Sequence, residues 1–265
     1  YVAGDSTRHI DWKLYARSGR YYVKLFDAET NFVANLLLDA SSSMTYASGG
    51  ISKLEYAKYM AAAIVMSEWY LETGDRWVIE ELQEVYDFLC TTQYLDLSQV
   101  SEKVKESHPD AYPKNASQQH GGWGHNPGFE GYGPISMITG QGALAFALMK
   151  HCGIDVDRER HDAAYAFLER GTGSNGYVWY ADEVAGDNNW ADMGRTGASS
   201  IAHLMSPFRE HKKLAKKHIA IMSEQPDSFP DTHASPLMGM GYGALGTFGN
   251  QKAFKSLMAS NRWWF

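Results

Sequence analysis

Gln118-Gln119-His120-Gly121-Gly122-Trp123-Gly124-His125 leads through Tyr132-Gly133-Pro134 into Ile135-Ser-Met-Ile-Thr-Gly-Gln-Gly-Ala-Leu-Ala-Phe-Ala-Leu-Met149. The second stretch is almost wholly apolar, the pattern of a helix buried on every side. Gly140 and Gly142 inside it let a neighbouring backbone come close. The first stretch, rich in glycine, imidazole and aromatic rings, reads as a shaped loop delivering side chains to the mouth of that helix. Proline at a first helical turn loses no hydrogen bond there. Weaker copies of the device stand at Gly173-Ser-Asn-Gly-Tyr-Val-Trp-Tyr180 and Thr232-His-Ala-Ser-Pro236, each ahead of another helix.

Outward from this helix the chain alternates small-residue and charged helices. Asp157–Arg170 is the charged partner, capped by Asp155 or Asp157, with Ala164, Phe167 and Leu168 facing in. Gly194–Met205 is again small and apolar, and Arg209–Met222 again charged, with Leu214, Ile221 and Met222 inward. Leu237–Leu245 and Gln251–Ser260 form a third pair. Upstream, Met60–Leu71 and Trp77–Gln93 form a comparable one, with Val78, Leu82, Val85 and Leu89 on one face of the latter. Thr73-Gly74-Asp75 predicts a helix stop and a fresh N-cap between them. An inner small-residue helix alternating with an outer charged one is how concentric helical barrels are built. The expected fold class is therefore mainly α, a partial α/α-toroid of helical hairpins with divergent spacing. Residues 94–119, polar and containing Pro109 and Pro113, are expected as an exposed excursion with a short helix from Ser101 to Ser107.

The chain has 265 residues, room for one large domain or two small ones. A net charge of -7 argues against a nucleic-acid binder relying on phosphate attraction. No apolar run reaches transmembrane length without a charge or several glycines, so no membrane span and a soluble protein are expected. Cys90 and Cys152 are the only cysteines, too few for a disulfide framework or a cysteine metal site. The start at Tyr1 without methionine and the stop at Trp263-Trp-Phe265 read as a fragment or processed piece, with the compartment open.

The opening differs in kind. Tyr21–Asp27 and Asn35–Asp39 read as strands, and Lys53–Leu71 as a helix. Gly4-Asp5, Arg8, Ile10-Asp11-Trp12, Ala16-Arg17, Leu36 to Met44 and Lys53-Leu-Glu-Tyr-Ala57 together resemble a von Willebrand factor A-like family of unknown function, often encoded beside MoxR-type AAA+ ATPases. That resemblance implies a short α/β segment over 1–60 and an adhesion-type metal loop at Asp39, Ser41 and Ser43. A carboxylate and two hydroxyls are hard oxygen ligands suited to Mg²⁺, whose open position would take a partner's carboxylate. The simpler reading is that Asp39 and Ser41 cap a turn. No later strand, threonine or acid suitable for the rest of such a domain follows Asp75, so the segment reads as truncated and its site as incomplete.

From residue 61 to 265 the chain resembles a second, uncharacterised bacterial family, an α/α-toroid related in shape to terpenoid cyclases and prenyltransferases. The stretches that carry this are Tyr70–Asp75, Gly121–His125, Gly131-Tyr-Gly133, His151–Asp157 and Asn261–Phe265. Cyclases of this shape carry a helix-end signature that Phe88-Leu89, Gln93 and Gly121-Gly122-Trp123 resemble in two halves. In it glutamine bonds the orphan carbonyls of a helix end and tryptophan packs over them. The acids that protonate cyclase substrates are missing, since Asp155-Val-Asp157 is a helix cap. Lys53–Leu71 serves both resemblances.

The loops entering the inner helices carry the candidate chemistry. His120, His125, Tyr132 and His233 are the candidate catalytic groups, and Trp123, Glu130, Asp192 and Arg195 the candidate ligand contacts. All are expected at one rim of a ring. Imidazole, phenol and carboxylate together suit general acid–base work on sugars, as in lyases and hydrolases of this fold, and the aromatics suit stacking. Against this, histidines beside glycine and tryptophan in a loop are commonly structural donors. The His120–His125 spacing has no third ligand at a zinc interval, and Asp187 to Asp192 fits a solvated turn. The expected function is a ligand- or glycan-binding α/α-toroid, in its enzymatic form a carbohydrate-active lyase or hydrolase taking a carbohydrate or small acidic ligand. The alternatives are a Mg²⁺-dependent protein-interaction module working through the Asp39 loop, and a non-catalytic helical repeat scaffold.

Overall fold

Helix α1, Lys53–Thr73, starts where the Ser52 hydroxyl accepts from the Glu55 amide at 3.1 Å and stops at Gly74 in a left-handed conformation. A two-residue antiparallel hairpin, Ala47–Ser48 with Ile51–Ser52, leads into it. Helix α2, Trp77–Thr92, buries the expected stripe of Val78, Leu82, Val85 and Leu89 against Tyr56, Met60 and Ala63 of α1. The fresh cap expected at Asp75 forms differently: its carboxylate takes the Trp69 indole at 2.8 Å, and Arg76 holds the cap position without a side-chain bond. The computed structural model describes residues 38–264 apart from 49, 111, 130, 187–188 and 230–235, all within the unit spanning 36–265. The strand expected at Tyr21–Asp27, all but the end of Asn35–Asp39, and the residues Glu130, Asp187 and His233 lie outside them.

After the short helix α3, Glu102–Ser107, come three further hairpins. They are α4, Ser136–His151, with α5, Arg158–Arg170, then α6, Gly194–Met205, with α7, Lys212–Glu224, then α8, Pro236–Thr247, with α9, Gln251–Asn261. α1, α4, α6 and α8 pack side by side as one row, while α2 lies on α1, α5 on α4, α7 on α6 and α8, and α9 on α7 and α8. The described residues are thus mainly helical. α4 is buried along almost its whole length, as its apolar faces require. Asp157, not Asp155, caps α5, accepting from the Arg160 amide at 2.9 Å. α7 starts three residues later than its charge pattern suggests. Ser206, extended ahead of Pro207, uses its hydroxyl to hold the Phe208 amide at 3.2 Å, so the chain turns before it coils.

The seams of the inner row are made by small residues. A Cβ at Gly197 of α6 would stand 2.4 Å from the carbonyl of Tyr242 in α8, so only glycine lets these backbones meet. Polar side chains inside α6 are all bonded: Ser200 donates to the Gly246 carbonyl at 2.7 Å, and Thr196 accepts from the Val178 amide at 3.1 Å. In the excursion, Tyr94, Val100 and Val104 make a small core of their own with Phe129, and most of 105–118 is exposed.

Candidate functional site

The loops that enter α4 and α6 meet at one end of the row. The Ser136 amide, an orphan donor at the start of α4, finds the Tyr180 carbonyl at 2.8 Å. Asp182 accepts from the Gln119 amide at 2.8 Å and from Arg170 at 2.9 Å, and Arg170 also donates to the His120 carbonyl at 2.7 Å. Two non-glycine residues here, Gln119 and Asp192, hold positive φ of 58° and 59°. Their loops are therefore fixed by contacts and not by local preference.

At the lip of this joint the Tyr180 hydroxyl donates to that of Tyr132 at 3.0 Å, and the His125 ring stands edge-on to Tyr132 at 5.5 Å. An open depression of about 500 Å³, lined by Tyr132, Pro134, Ile135, Tyr180 and Ala181, lies against them. Arg195 sits beneath, its guanidinium 5.6 Å from the Tyr180 ring. Burial pushes the Tyr180 phenol up, and the Tyr132 bond adds to the shift. His125 is held below the ordinary imidazole value by desolvation first and by Lys53 second, so its ring is neutral at pH 7. Together these groups offer two phenols, one neutral imidazole and an aromatic wall.

The other candidates separate. His120 lines a different depression of about 310 Å³ with Ala116, Ser117 and Arg170. Trp123 has no exposed surface; it is a core residue, edge-on to Phe146 at 5.1 Å. The helix-end roles are also exchanged: the Trp123 indole bonds the Leu89 carbonyl at 3.1 Å, while Gln93 donates to the carbonyls of Gly121 at 2.9 Å and Arg160 at 3.0 Å. Arg195, expected to reach a ligand, is buried and spent on Asp192, on the Tyr177 hydroxyl at 2.6 Å and on the Val178 carbonyl at 3.3 Å. Asp192 is accordingly its counter-ion and not a solvated turn residue. A larger depression of about 600 Å³ runs between α1 and α2, past Leu54, Tyr59, Met66 and Glu81, away from these loops. Tyr180 was missed among the site candidates although it ends the quoted Gly173–Tyr180 loop. Its pairing with Tyr132 has no signature in spacing.

The Asp39 loop is exposed and draws its three candidate ligands together. Ser41 donates its amide to Asp39 at 2.8 Å and its hydroxyl lies 3.1 Å from the same carboxylate and 3.0 Å from the Ser43 hydroxyl. Hard oxygens so close suit Mg²⁺ as a partial ligand set.

This protein is of the helical-hairpin class, and a family match places it further. Residues 55–265 match the model of a domain of unknown function, DUF6288, and the chain belongs to that family. Residues 1–89 match the model of a protein of unknown function, DUF58, and the overlap falls on α1 and most of α2. Neither a curated protein nor a solved structure matches the chain.

Proposed function

We propose that the DUF6288 part is a ligand-binding domain of the α/α-toroid kind, whose occupant is a carbohydrate or small acidic ligand held at the Tyr132–Tyr180 lip. The observation that carries this is the hydroxyl pair of Tyr132 and Tyr180 over an open depression with His125 beside it. Aromatic rings with polar tips present a flat apolar face to a sugar ring and hydrogen bonds to its hydroxyls. Arg195 beneath the lip adds positive potential for an acidic group, discounted by Asp192. In the enzymatic form of this reading, His125 and Tyr132 move the proton. A thermal-shift screen of acidic and neutral oligosaccharides on the wild type, Tyr132→Ala and His125→Ala tests it. The expected result is a shift with at least one sugar that both variants lose while their own melting stays close to wild type. No shift with any sugar leaves the non-catalytic scaffold in its place.

The convergence of Asp39, Ser41 and Ser43 favours a second reading, a protein-interaction surface dependent on Mg²⁺. The three would hold the ion, which would supply open positions to a partner's carboxylate. Calorimetric titration with Mg²⁺ on wild type and Asp39→Ala decides it, and heat unchanged by the substitution removes this reading.

A further inference from the structure

At the opposite end of the hairpins, where the His151 ring at the end of α4 meets the Met205 carbonyl at the end of α6 at 2.8 Å, a second polar group lies between α5 and α7. His161 and Asp162 are consecutive on α5, and His211 precedes α7. We propose that His161, Asp162 and His211 form a site for a divalent transition metal of borderline softness, with Zn²⁺ the natural occupant.

Three features of the geometry support this. His161 Nδ1 lies 3.2 Å and His211 Nε2 3.6 Å from the same oxygen, Asp162 Oδ1. A tetrahedron built on metal–ligand bonds of about 2.0–2.1 Å has edges of roughly 3.3 Å, so these separations are those of neighbouring ligands. The three ligand atoms all fall within 4.8 Å of one another. Second, the rings are pre-aligned. Both lie nearly parallel to Tyr165, with centroids at 4.5 Å and 4.3 Å, yet only 5.2 Å from each other. Rings on opposite faces of Tyr165 would stand further apart than either stacking distance allows for 5.2 Å, so the imidazoles lie side by side over one face. Their in-plane lone pairs can then converge. Third, the carboxylate is sorted: Arg158 donates to Asp162 Oδ2 at 2.6 Å and leaves Oδ1 to the histidines. Outer bonds of this kind orient ligands.

Ser206 Oγ accepts from the Phe208 amide at 3.2 Å and lies 3.1 Å from His211 Nδ1. With the His211 proton on Nδ1 and given to Ser206, the Nε2 lone pair is left on the side of the Asp162 carboxylate, where a metal ion would take both. His161 is wholly buried, and its Nε2 has no hydrogen-bond partner among the described residues. Two nitrogens and one oxygen suit Zn²⁺ and its neighbours and not Mg²⁺. Asp162 is partly exposed, which leaves a side for water to complete the shell.

The test uses the full chain, freed of metal with a chelator and titrated with Zn²⁺ by calorimetry at neutral pH. One equivalent is expected, with a visible ligand-field band when Co²⁺ is used and a higher melting temperature with Zn²⁺ but not with Mg²⁺. His211→Gln and Asp162→Asn should weaken binding by about 100-fold or more, and Ser206→Ala by about 10–100-fold. His108→Gln, on the exposed excursion, should leave it unchanged. Should His211→Gln misfold, Asp162→Asn, which keeps the side-chain shape, decides alone. No binding by the wild type, or undiminished binding by a folded Asp162→Asn, overturns the site and makes the triad a hydrogen-bonded joint.

Discussion

His203 and His218 are buried and face each other at 5.4 Å from α6 and α7. Each spends its Nδ1 proton on a backbone carbonyl, Ser199 for His203 and Gly176 for His218, both at 2.7 Å, and the Ser199 hydroxyl donates to His218 Nε2 at 3.0 Å. Burial first, and for His203 the neighbouring ring second, lowers their values to about 3 and about 4. In the unfolded chain both titrate near the ordinary 6.5, so between about pH 6.5 and 4 the unfolded state binds more protons. Stability must then fall as pH falls through that window, with a slope approaching about 3 kcal/mol per pH unit for the two rings. Urea unfolding midpoints should accordingly be lower at pH 5 than at pH 7.5, and a flat midpoint would mean that the folded rings carry charge. Neither residue stands out in the sequence. A histidine on a small-residue helix and one on a lysine-rich helix have no common pattern until the hairpin closes.

The seam between α6 and α8 makes a prediction about elements. Gly197→Ala sets a Cβ against the Tyr242 backbone at 2.4 Å, which cannot yield without moving a helix. It should cost about 1–3 kcal/mol. Gly241→Ala, at the residue before Tyr242 on α8 and with nothing within 4 Å of its Cβ, should instead be neutral or stabilise by up to about 1 kcal/mol. Thermal melts of the pair should therefore move in opposite directions; a loss of equal size at both would point to helix chemistry and not to the seam. The helices themselves were legible, because apolar period, glycine stops and acidic caps are local signals, and Ile135–Met149 and Gly194–Met205 reappear within two residues of their expected bounds. What the loops do was only half legible. The Gln93–Trp123 association could be read, but which of the two bonds the α2 carbonyl depends on α5 lying beside them, and that is a tertiary fact.

At the largest scale, across the described residues of the unit spanning 36–265, a row of small-residue helices is sheathed by charged ones, and its two ends carry different chemistry. Loops rich in tyrosine gather at one end, and His161, Asp162 and His211 at the other. The second group was invisible in the sequence because its members come from two hairpins at no diagnostic spacing. No helix among the described residues is long and apolar enough to cross a membrane. The burial of Trp123 has an optical consequence for the whole. Its indole sees no water and sits at the junction of α2, α4 and α5, whereas Trp69, Trp77, Trp190 and Trp263 are 45%, 59%, 49% and 70% exposed. Acrylamide should quench those four first and leave a blue-shifted residual emission that Trp123→Phe reduces sharply, with the partly buried Trp179 supplying what is left among the described residues. That residual glow then reports, in a single cuvette, whether the central row is intact while any ligand or ion is being tried.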